Sequence, residues 1–126
     1  FQLMKNNKFS NSNHENEHLN LIAEEALDSG KAINIISIPL SGKSSIADYM
    51  IVASGTSARH VSALADQLNK KIKKAGYRIF SIQGQSDSNW VLVDAGDVII
   101  HLFRPEVREF YNLEKMWLAP QETIEI

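Results

Sequence analysis

The stretch "NWVLVDAGDVIIHLF" (Asn89–Phe103) predicts a β-hairpin. Two alternating runs flank Ala95 and Gly96, and glycine readily adopts the positive φ that a tight turn requires. With these two residues as the turn, the expected cross-strand pairs are Asp94–Asp97, Leu92–Ile99 and Trp90–His101. The hairpin therefore supplies the last two strands of the predicted sheet.

The alternation divides this hairpin into two different faces. One face is aliphatic and is expected to be core: Val91, Val93, Val98, Ile100 and Leu102. The other mixes aromatic, acidic and imidazole groups: Trp90, Leu92, Asp94, Asp97, Ile99, His101 and Phe103. This mixed face suits a protein-binding surface, but a second helical layer could also cover it and leave His101 as a hydrogen-bonded buried histidine. The pattern leaves both interpretations open, and a one-residue register slip would exchange the faces.

Outward from the hairpin, the pattern predicts the order α-β-β-α-β-β-β-α. A helix from His18 ends at Gly30, and strands follow over Ala32–Pro39 and Asp48–Gly55. The next helix covers Ala58–Ala75, with Ser57 as its cap. Its expected apolar stripe comprises Val61, Leu64, Ala65, Leu68 and Ile72. A third strand over Tyr77–Ile82 and a last helix that begins with Pro105 complete the order. We therefore expect an α/β fold in which helices pack on a mixed five-stranded sheet.

The length of 126 residues indicates one domain with a real core. We expect a single domain over residues 17–120, flanked by a disordered polar tail at 1–16 and a C-terminal tail at 121–126. The first three residues, before Met4, are a candidate tag remnant.

Composition limits the partners that the chain can take. A net charge of −2 and a pI of about 6.1 predict little direct contact with nucleic acid. The absence of cysteine removes disulfides and thiolate metal sites and fits a reducing cytosol. The sequence contains no apolar run of the roughly 20 residues that a membrane span needs. We therefore expect a cytoplasmic protein.

Two short motifs match catalytic signatures by chance. "HENEH" (His14–His18) has zincin spacing, but it lies in the predicted polar tail without a third ligand. "SGKSS" (Ser41–Ser45) ends like a P-loop, yet Ser37 occupies the position of the first glycine. We therefore predict no metal site and no cofactor.

A third motif, "SGTS" (Ser54–Ser57), lies where a strand meets a capped helix, a place where free N–H groups can hold an anion. Nucleotidyltransferases use such a turn together with a D-x-D pair that binds Mg²⁺, and no D-x-D follows here. A helix cap with a tight turn is the favoured interpretation. No G-x-S-x-G elbow introduces a nucleophile either, so we predict no catalytic residue.

The last predicted helix, "RPEVREFYNLEKMW" (Arg104–Trp117), carries aromatic and arginine side chains at helical spacing. These residue types dominate protein interfaces. The same spacing also suits a core stripe, and for most of the apolar positions that is the favoured interpretation.

Three ordered blocks together resemble the ribosomal silencing factor family, RsfS or Iojap. They are "ADYMIVASGTSARHVSALAD" (47–66), the hairpin stretch and "REFYNLEKMW" (108–117). The resemblance covers Leu19 to Trp117. It implies a nucleotidyltransferase-like fold without the catalytic carboxylates. It also implies binding to the large ribosomal subunit through its protein L-fourteen, which sterically blocks joining of the small subunit and represses translation.

The resemblance further implies a set of partner-binding residues: Trp90, Leu92, Asp94, His101, Tyr111, Glu114 and Trp117. Trp90 and Leu92 would be the desolvated anchor, whereas Asp94 and Glu114 would meet basic groups of the ribosomal protein. Two alternatives remain: a nucleotide-binding or nucleotidyltransferase-type enzyme that uses the Ser54–Ser57 turn, and a homodimer formed through the aromatic surface.

Overall fold

The structure is a computed structural model that describes residues 8–40 and 47–107, with side chains described from residue 17 onward. Its elements are α1 (Lys8–Ser29), β1 (Ile33–Pro39), β2 (Tyr49–Ser54), α2 (Ala58–Lys74), β3 (Ser81–Gln83), β4 (Trp90–Asp94) and β5 (Val98–Phe103). Residues 105–107 begin a further helical segment at Pro105, as predicted. The predicted order of helices and strands is confirmed.

The five strands form one mixed sheet in the order β1-β2-β5-β4-β3. Strands β2 and β5 run parallel, and the other three pairs are antiparallel. The chain reaches the parallel partner of β2 only after passing through α2, because parallel strands need a long crossover connection. The predicted α/β fold with a mixed five-stranded sheet is confirmed.

Both helices pack on one face of this sheet, which we call the inner face. The predicted aliphatic face of the hairpin lies here, and each of its five residues is fully buried. The predicted apolar stripe of α2 is also confirmed residue by residue, and it meets Leu19, Ala23, Ala26 and Leu27 of α1. Burying each leucine or isoleucine side chain contributes about 1.5–3 kcal/mol, so this layer is the main source of stability.

Helix α1 is longer than predicted. It begins at Lys8 rather than at His18, so residues 8–16, predicted as part of a disordered polar tail, are helical. The Asn-rich composition offered no apolar period to mark this part of the helix. A helix propagates from turns that are already formed, because each further residue adds a hydrogen bond without a new nucleus. The predicted stop at Gly30 agrees with a helix that ends at Ser29.

The hairpin register differs from the predicted one by two residues. The observed pairs are Asp94–Ile99, Val93–Ile100, Leu92–His101, Val91–Leu102 and Trp90–Phe103. The turn residues are Gly96 and Asp97, since the N–H of Ala95 donates to the carbonyl of Val98 at 3.0 Å. Gly96 has the predicted positive φ, at 90°, but at the first turn position. A shift of two residues preserves the side-chain alternation, so both predicted faces are correct.

The third strand is shorter than the predicted Tyr77–Ile82. Only Ser81–Gln83 pairs with β4, and Phe80 adds one hydrogen bond to the carbonyl of Asp94 at 2.7 Å. Residues before Phe80 would lie opposite the hairpin turn, where β4 has already ended. None of the helices among the described residues is long and apolar enough to cross a bilayer.

Candidate functional site

The candidate site is the sheet face opposite the two helices, which we call the outer face. Its hairpin residues are Trp90, Leu92 and Asp94 of β4 with Ile99, His101 and Phe103 of β5. The structure therefore brings together the four hairpin residues expected to bind a partner. Tyr111, Glu114 and Trp117, the other three, lie outside the described residues.

Accessibility of the outer face increases from one side of the sheet to the other. One row of paired residues runs from Val52 through His101 and Leu92 to Gln83. Val52 is fully buried, His101 and Leu92 are half-buried, and Gln83 is exposed. The outer face is therefore covered over β2 and open towards β3, so only part of it is accessible to a partner.

A second hydrophobic cluster covers the closed side of the outer face. Its buried members are Ile38, Leu40, Ala47, Met50, Val52 and Phe103. Val107, in the helical segment that follows Pro105, packs against this cluster, as do Trp90 and Ile99. The cluster joins the start of the last helix to the sheet, so the candidate site rests on a packed support.

Three rings lie side by side where the outer face passes from covered to open. Trp90 lies 5.0 Å from Phe103 and 5.8 Å from His101, measured between ring centroids. The rings of His101 and Phe103 are nearly parallel at 6.1 Å. The indole Nε1–H of Trp90 donates a hydrogen bond to Nδ1 of His101 at 3.0 Å. Packing and this hydrogen bond together orient the indole, so little side-chain entropy remains to be lost on binding.

His101 is held neutral in this environment. Burial lowers its pKa from 6.5 to about 4, because a charged imidazolium loses its hydration there. Nδ1 accepts from Trp90, so the ring proton lies on Nε2. The imidazole thus acts as a structural acceptor and lacks the near-neutral pKa that acid–base work favours.

Asp94 has a local structural role in addition to its expected role in binding. Its Oδ1 accepts a hydrogen bond from the N–H of Gly96 at 2.9 Å, which closes the hairpin turn. The half-buried carboxylate therefore fixes the turn and also places a negative charge at the end of the outer face.

Phe103 and Ile99 belong to the same surface, although the expected partner-binding set omits them. Phe103 is fully buried beneath Trp90, whereas Ile99 is half-buried beside Asp94. The period-2 alternation places both on the outer face, so the sequence contains the signal for them. Their degree of burial depends on the second cluster, which no local pattern predicts.

The Ser54–Ser57 turn is built as a helix cap. The N–H of Gly55 donates to the carbonyl of Phe103 at 3.0 Å, and the N–H of Thr56 donates to Nδ1 of His60 at 2.9 Å. Ser57 Oγ accepts from the N–H of His60 at 3.1 Å. These three amide groups are therefore already paired and are not available to an anion.

Gly55 also serves packing rather than ligand approach. A Cβ at this position would lie 2.9 Å from Cγ2 of Val61, so the turn fits closely against α2. His60 is half-buried, and its Nε2 donates to the carbonyl of Gly30 at 2.8 Å. It therefore ties the end of α1 to the start of α2.

Of the two chance motifs, only the last two residues of the zincin-like one have described side chains. His18, at the end of the zincin-like motif, hydrogen-bonds through Nδ1 to the hydroxyl of Tyr77 at 2.9 Å. Within residues 17–40 and 47–107, no group of three His, Asp or Glu side chains is arranged to hold a metal ion. The P-loop-like motif lies outside the described residues.

Comparison with known proteins identifies the family of this chain. The family model described as "Ribosomal silencing factor during starvation" (RsfS) matches residues 12–126. Ribosomal silencing factor RsfS of Zymomonas mobilis is 55% identical over 101 residues, which are 80% of this chain and 76% of that protein. A mouse protein named "Mitochondrial assembly of ribosomal large subunit protein 1" is 42% identical over 73 residues, or 56% of this chain and 32% of its own length.

The fold is shared with solved structures. A crystal structure of a Chromobacterium violaceum protein superposes with a TM-score of 0.80 at 40% identity, covering 83% of this chain and 88% of that one. The resemblance based on three sequence blocks is therefore confirmed over nearly the whole chain. This chain belongs to the RsfS family of ribosomal silencing factors, which are regulators of translation rather than a known family of enzymes.

Proposed function

We propose that this chain binds the large ribosomal subunit through ribosomal protein L-fourteen and sterically blocks joining of the small subunit. Family membership supports a ribosome-associated silencing role. The similarity to the mouse protein named for assembly of the large subunit supports that subunit as the partner. Because the proposed partner is a ribosomal subunit, we place the protein in the cytoplasm together with the ribosomes.

The observation that carries the proposal is that the outer face presents ordered apolar side chains that are only partly covered. A fixed indole and the half-buried Leu92 lie next to a fully packed cluster, on the open side of the sheet. Preorganised aromatic and aliphatic groups beside a packed support are typical of the energetic centre of an interface. Ordering such groups costs little on binding, so the area that they bury contributes more fully to affinity.

Charge supports the same choice of partner. Asp94 lies at the turn end of the outer face and Asp97 is exposed in the turn itself. Their negative charges attract a basic ribosomal protein and disfavour contact of this face with RNA phosphates. We include Glu114, Tyr111 and Trp117 in the proposed interface on the basis of the family resemblance.

Leu92→Arg is the sharpest test. It places a charge in the proposed interface while leaving the inner face and the second cluster intact. The matched control is Leu21→Arg, because Leu21 is a 49% exposed leucine on α1, behind the sheet. We expect Leu92→Arg to weaken binding to purified L-fourteen at least about tenfold, a loss of about 1.4 kcal/mol, and Leu21→Arg to bind like wild type.

The same pair of variants tests silencing itself. Sedimentation of mixed subunits should show fewer joined ribosomes with wild type or Leu21→Arg, and normal joining with Leu92→Arg. Equal binding of both variants to L-fourteen would show that the outer face is not the interface. If wild type does not bind L-fourteen but still prevents joining, the partner assignment is wrong while the silencing role stands.

A homodimer through the outer face remains the alternative use of the same surface. Light scattering of the chain alone, across a range of concentrations, shows whether a homodimer forms. A dimer that buries Leu92 should be absent in Leu92→Arg, and L-fourteen should compete with its formation.

A further inference from the structure

Five exposed cations surround the end of α2, and none of them belongs to the proposed interface. Lys70, Lys71, Lys73 and Lys74 lie on the last turns of the helix, and Arg78 follows it. We call this group the basic end. In the described part of the chain, no carboxylate forms an ion pair with any of the five. The chain therefore concentrates positive charge here although its net charge is −2.

The nearest acid on the same helix is engaged elsewhere. Asp66 stands one helical turn before Lys70, but its Oδ1 accepts a hydrogen bond from Nε2 of Gln85 at 2.9 Å. Favourable interaction with the helix dipole explains lysines in the last turn. It does not explain Arg78, which lies beyond the helix.

Phe80 adds an aromatic surface to the basic end. Its side chain is 55% exposed, and the guanidinium carbon of Arg78 lies 4.9 Å from the ring centroid. Another part of the ring rests on Gly96, where a Cβ would approach Cε2 of Phe80 to 2.8 Å. Gly96 therefore allows the ring to lie against the hairpin turn. The ring is therefore held between Arg78 and the hairpin turn, and more than half of the side chain remains exposed to a ligand.

We propose that the basic end binds RNA of the large ribosomal subunit, with the cations on backbone phosphates and Phe80 stacked on an unpaired base. Phosphates and stacked bases are the two groups that lysine clusters and exposed aromatics recognise in RNA. This inference rests on the family's association with ribosomes, and its five cations lie outside the outer face. It also refines the expectation of little contact with nucleic acid, which was based on net charge. Salt screens distant charges, so the local cluster of cations governs the interaction with a phosphate nearby.

RNA fits this surface better than an acidic protein or an anionic membrane. Lysine is depleted from the cores of protein interfaces, and the basic end has no apolar centre among its lysines. A membrane-surface helix needs a broad apolar face free to enter lipid. The apolar stripe of α2 is instead buried against the sheet and α1.

The test uses the full chain and an end-labelled RNA hairpin with a single-stranded loop, followed by fluorescence anisotropy at low salt. The variant replaces the four lysines by glutamine, which keeps helix propensity. Its matched control replaces Arg59 and Lys31, two exposed cations remote from this end, by glutamine. We expect at least tenfold weaker binding by the four-lysine variant, with a salt dependence of affinity lower by roughly 0.7–0.9 per lost phosphate contact. The control variant should bind like wild type.

Phe80→Leu separates stacking from charge. It should weaken binding to the hairpin loop and leave binding to a fully paired duplex unchanged.

No measurable binding by wild type at about 50 mM salt, or equal loss in the Arg59 and Lys31 control, overturns the proposal. Lysine-dependent binding to vesicles of anionic lipid without binding to the RNA overturns it in favour of a membrane. The four-lysine variant should still bind L-fourteen and Leu92→Arg should still bind RNA, so this proposal and the proposed function fail separately.

Discussion

Trp90 and His101 form one unit across β4 and β5, in which the indole Nε1–H donates to Nδ1 of the imidazole at 3.0 Å. They are not directly opposite in the strand register, since Leu92 faces His101 and Phe103 faces Trp90. The indole therefore reaches diagonally along the sheet, a distance that aromatic and other long side chains can span. Both residues were expected to belong to one partner-binding surface, and the orientation of the indole depends on the imidazole.

The depressed pKa of His101 predicts loss of stability in mild acid. The unfolded chain binds a proton near pH 6.5, whereas the folded chain does so only near pH 4. The stabilisation is therefore complete above pH 6.5 and is lost as the pH falls towards 4. We expect the contribution of His101 to the free energy of unfolding to fall by about 2 kcal/mol between pH 7.5 and pH 5, measured by urea denaturation.

His101→Gln is the control for this pH effect, because glutamine has no titrating group and can still accept from Trp90. Its unfolding free energy should depend less on pH than that of wild type over the same interval. An identical pH dependence in the two proteins would mean that His101 is not the responsible group.

Trp90→Phe tests the hydrogen bond separately from the ring stack. Phenylalanine retains an aromatic ring above Phe103 and removes the N–H donor. We expect a loss of about 1–3 kcal/mol in the free energy of unfolding, because the imidazole acceptor remains buried without its partner. Adding His101→Leu to this variant should recover part of the loss, since both polar partners are then absent. If His101→Leu lowers the free energy of unfolding as much in the Trp90→Phe background as it does alone, this account is wrong.

Gly84 and Gly76 offer a matched comparison of backbone strain and steric conflict. Both have positive φ, 87° and 95° respectively. An added Cβ at Gly84 would collide with the carbonyl oxygen of Trp90, whereas at Gly76 it would meet nothing within 4 Å. We expect Gly76→Ala to cost about 1–2 kcal/mol from strain alone and Gly84→Ala to cost clearly more. Thermal unfolding measures the stability of the two variants. Equal melting temperatures would show that the predicted collision at Gly84 does not destabilise the fold.

His60→Ala should loosen the contact between the two helices. The imidazole links the N–H of Thr56 to the carbonyl of Gly30, so alanine leaves both groups without this partner. We expect a loss of about 2 kcal/mol in the free energy of unfolding, from two hydrogen bonds of ordinary strength. Arg59→Ala, at the exposed neighbouring position, should change stability by less than about 0.5 kcal/mol. Hydrogen exchange at Thr56 should also accelerate in His60→Ala alone.

The hairpin shows how far local pattern extends. Its two faces were predicted correctly and its register was not, because alternation has a period of two and is blind to a shift of two residues. The register depends on the Asp94 side chain, which caps the N–H of Gly96 and so selects Gly96-Asp97 as the turn. The length of α1 was missed for a similar reason, since a polar helical segment has no hydrophobic period to detect.

The sequence alone determined the order of the elements, the buried stripe of α2, the aliphatic inner face and the family. Each follows from periodicity, from capping residues such as Ser57, or from blocks of residues in a fixed order. Only the tertiary structure decided which part of the outer face stays open, how Trp90 and His101 pair, and that Phe80 lies beside the basic end. These properties depend on contacts between residues distant in the chain, where burial and partner geometry set the pKa and the accessibility of each group.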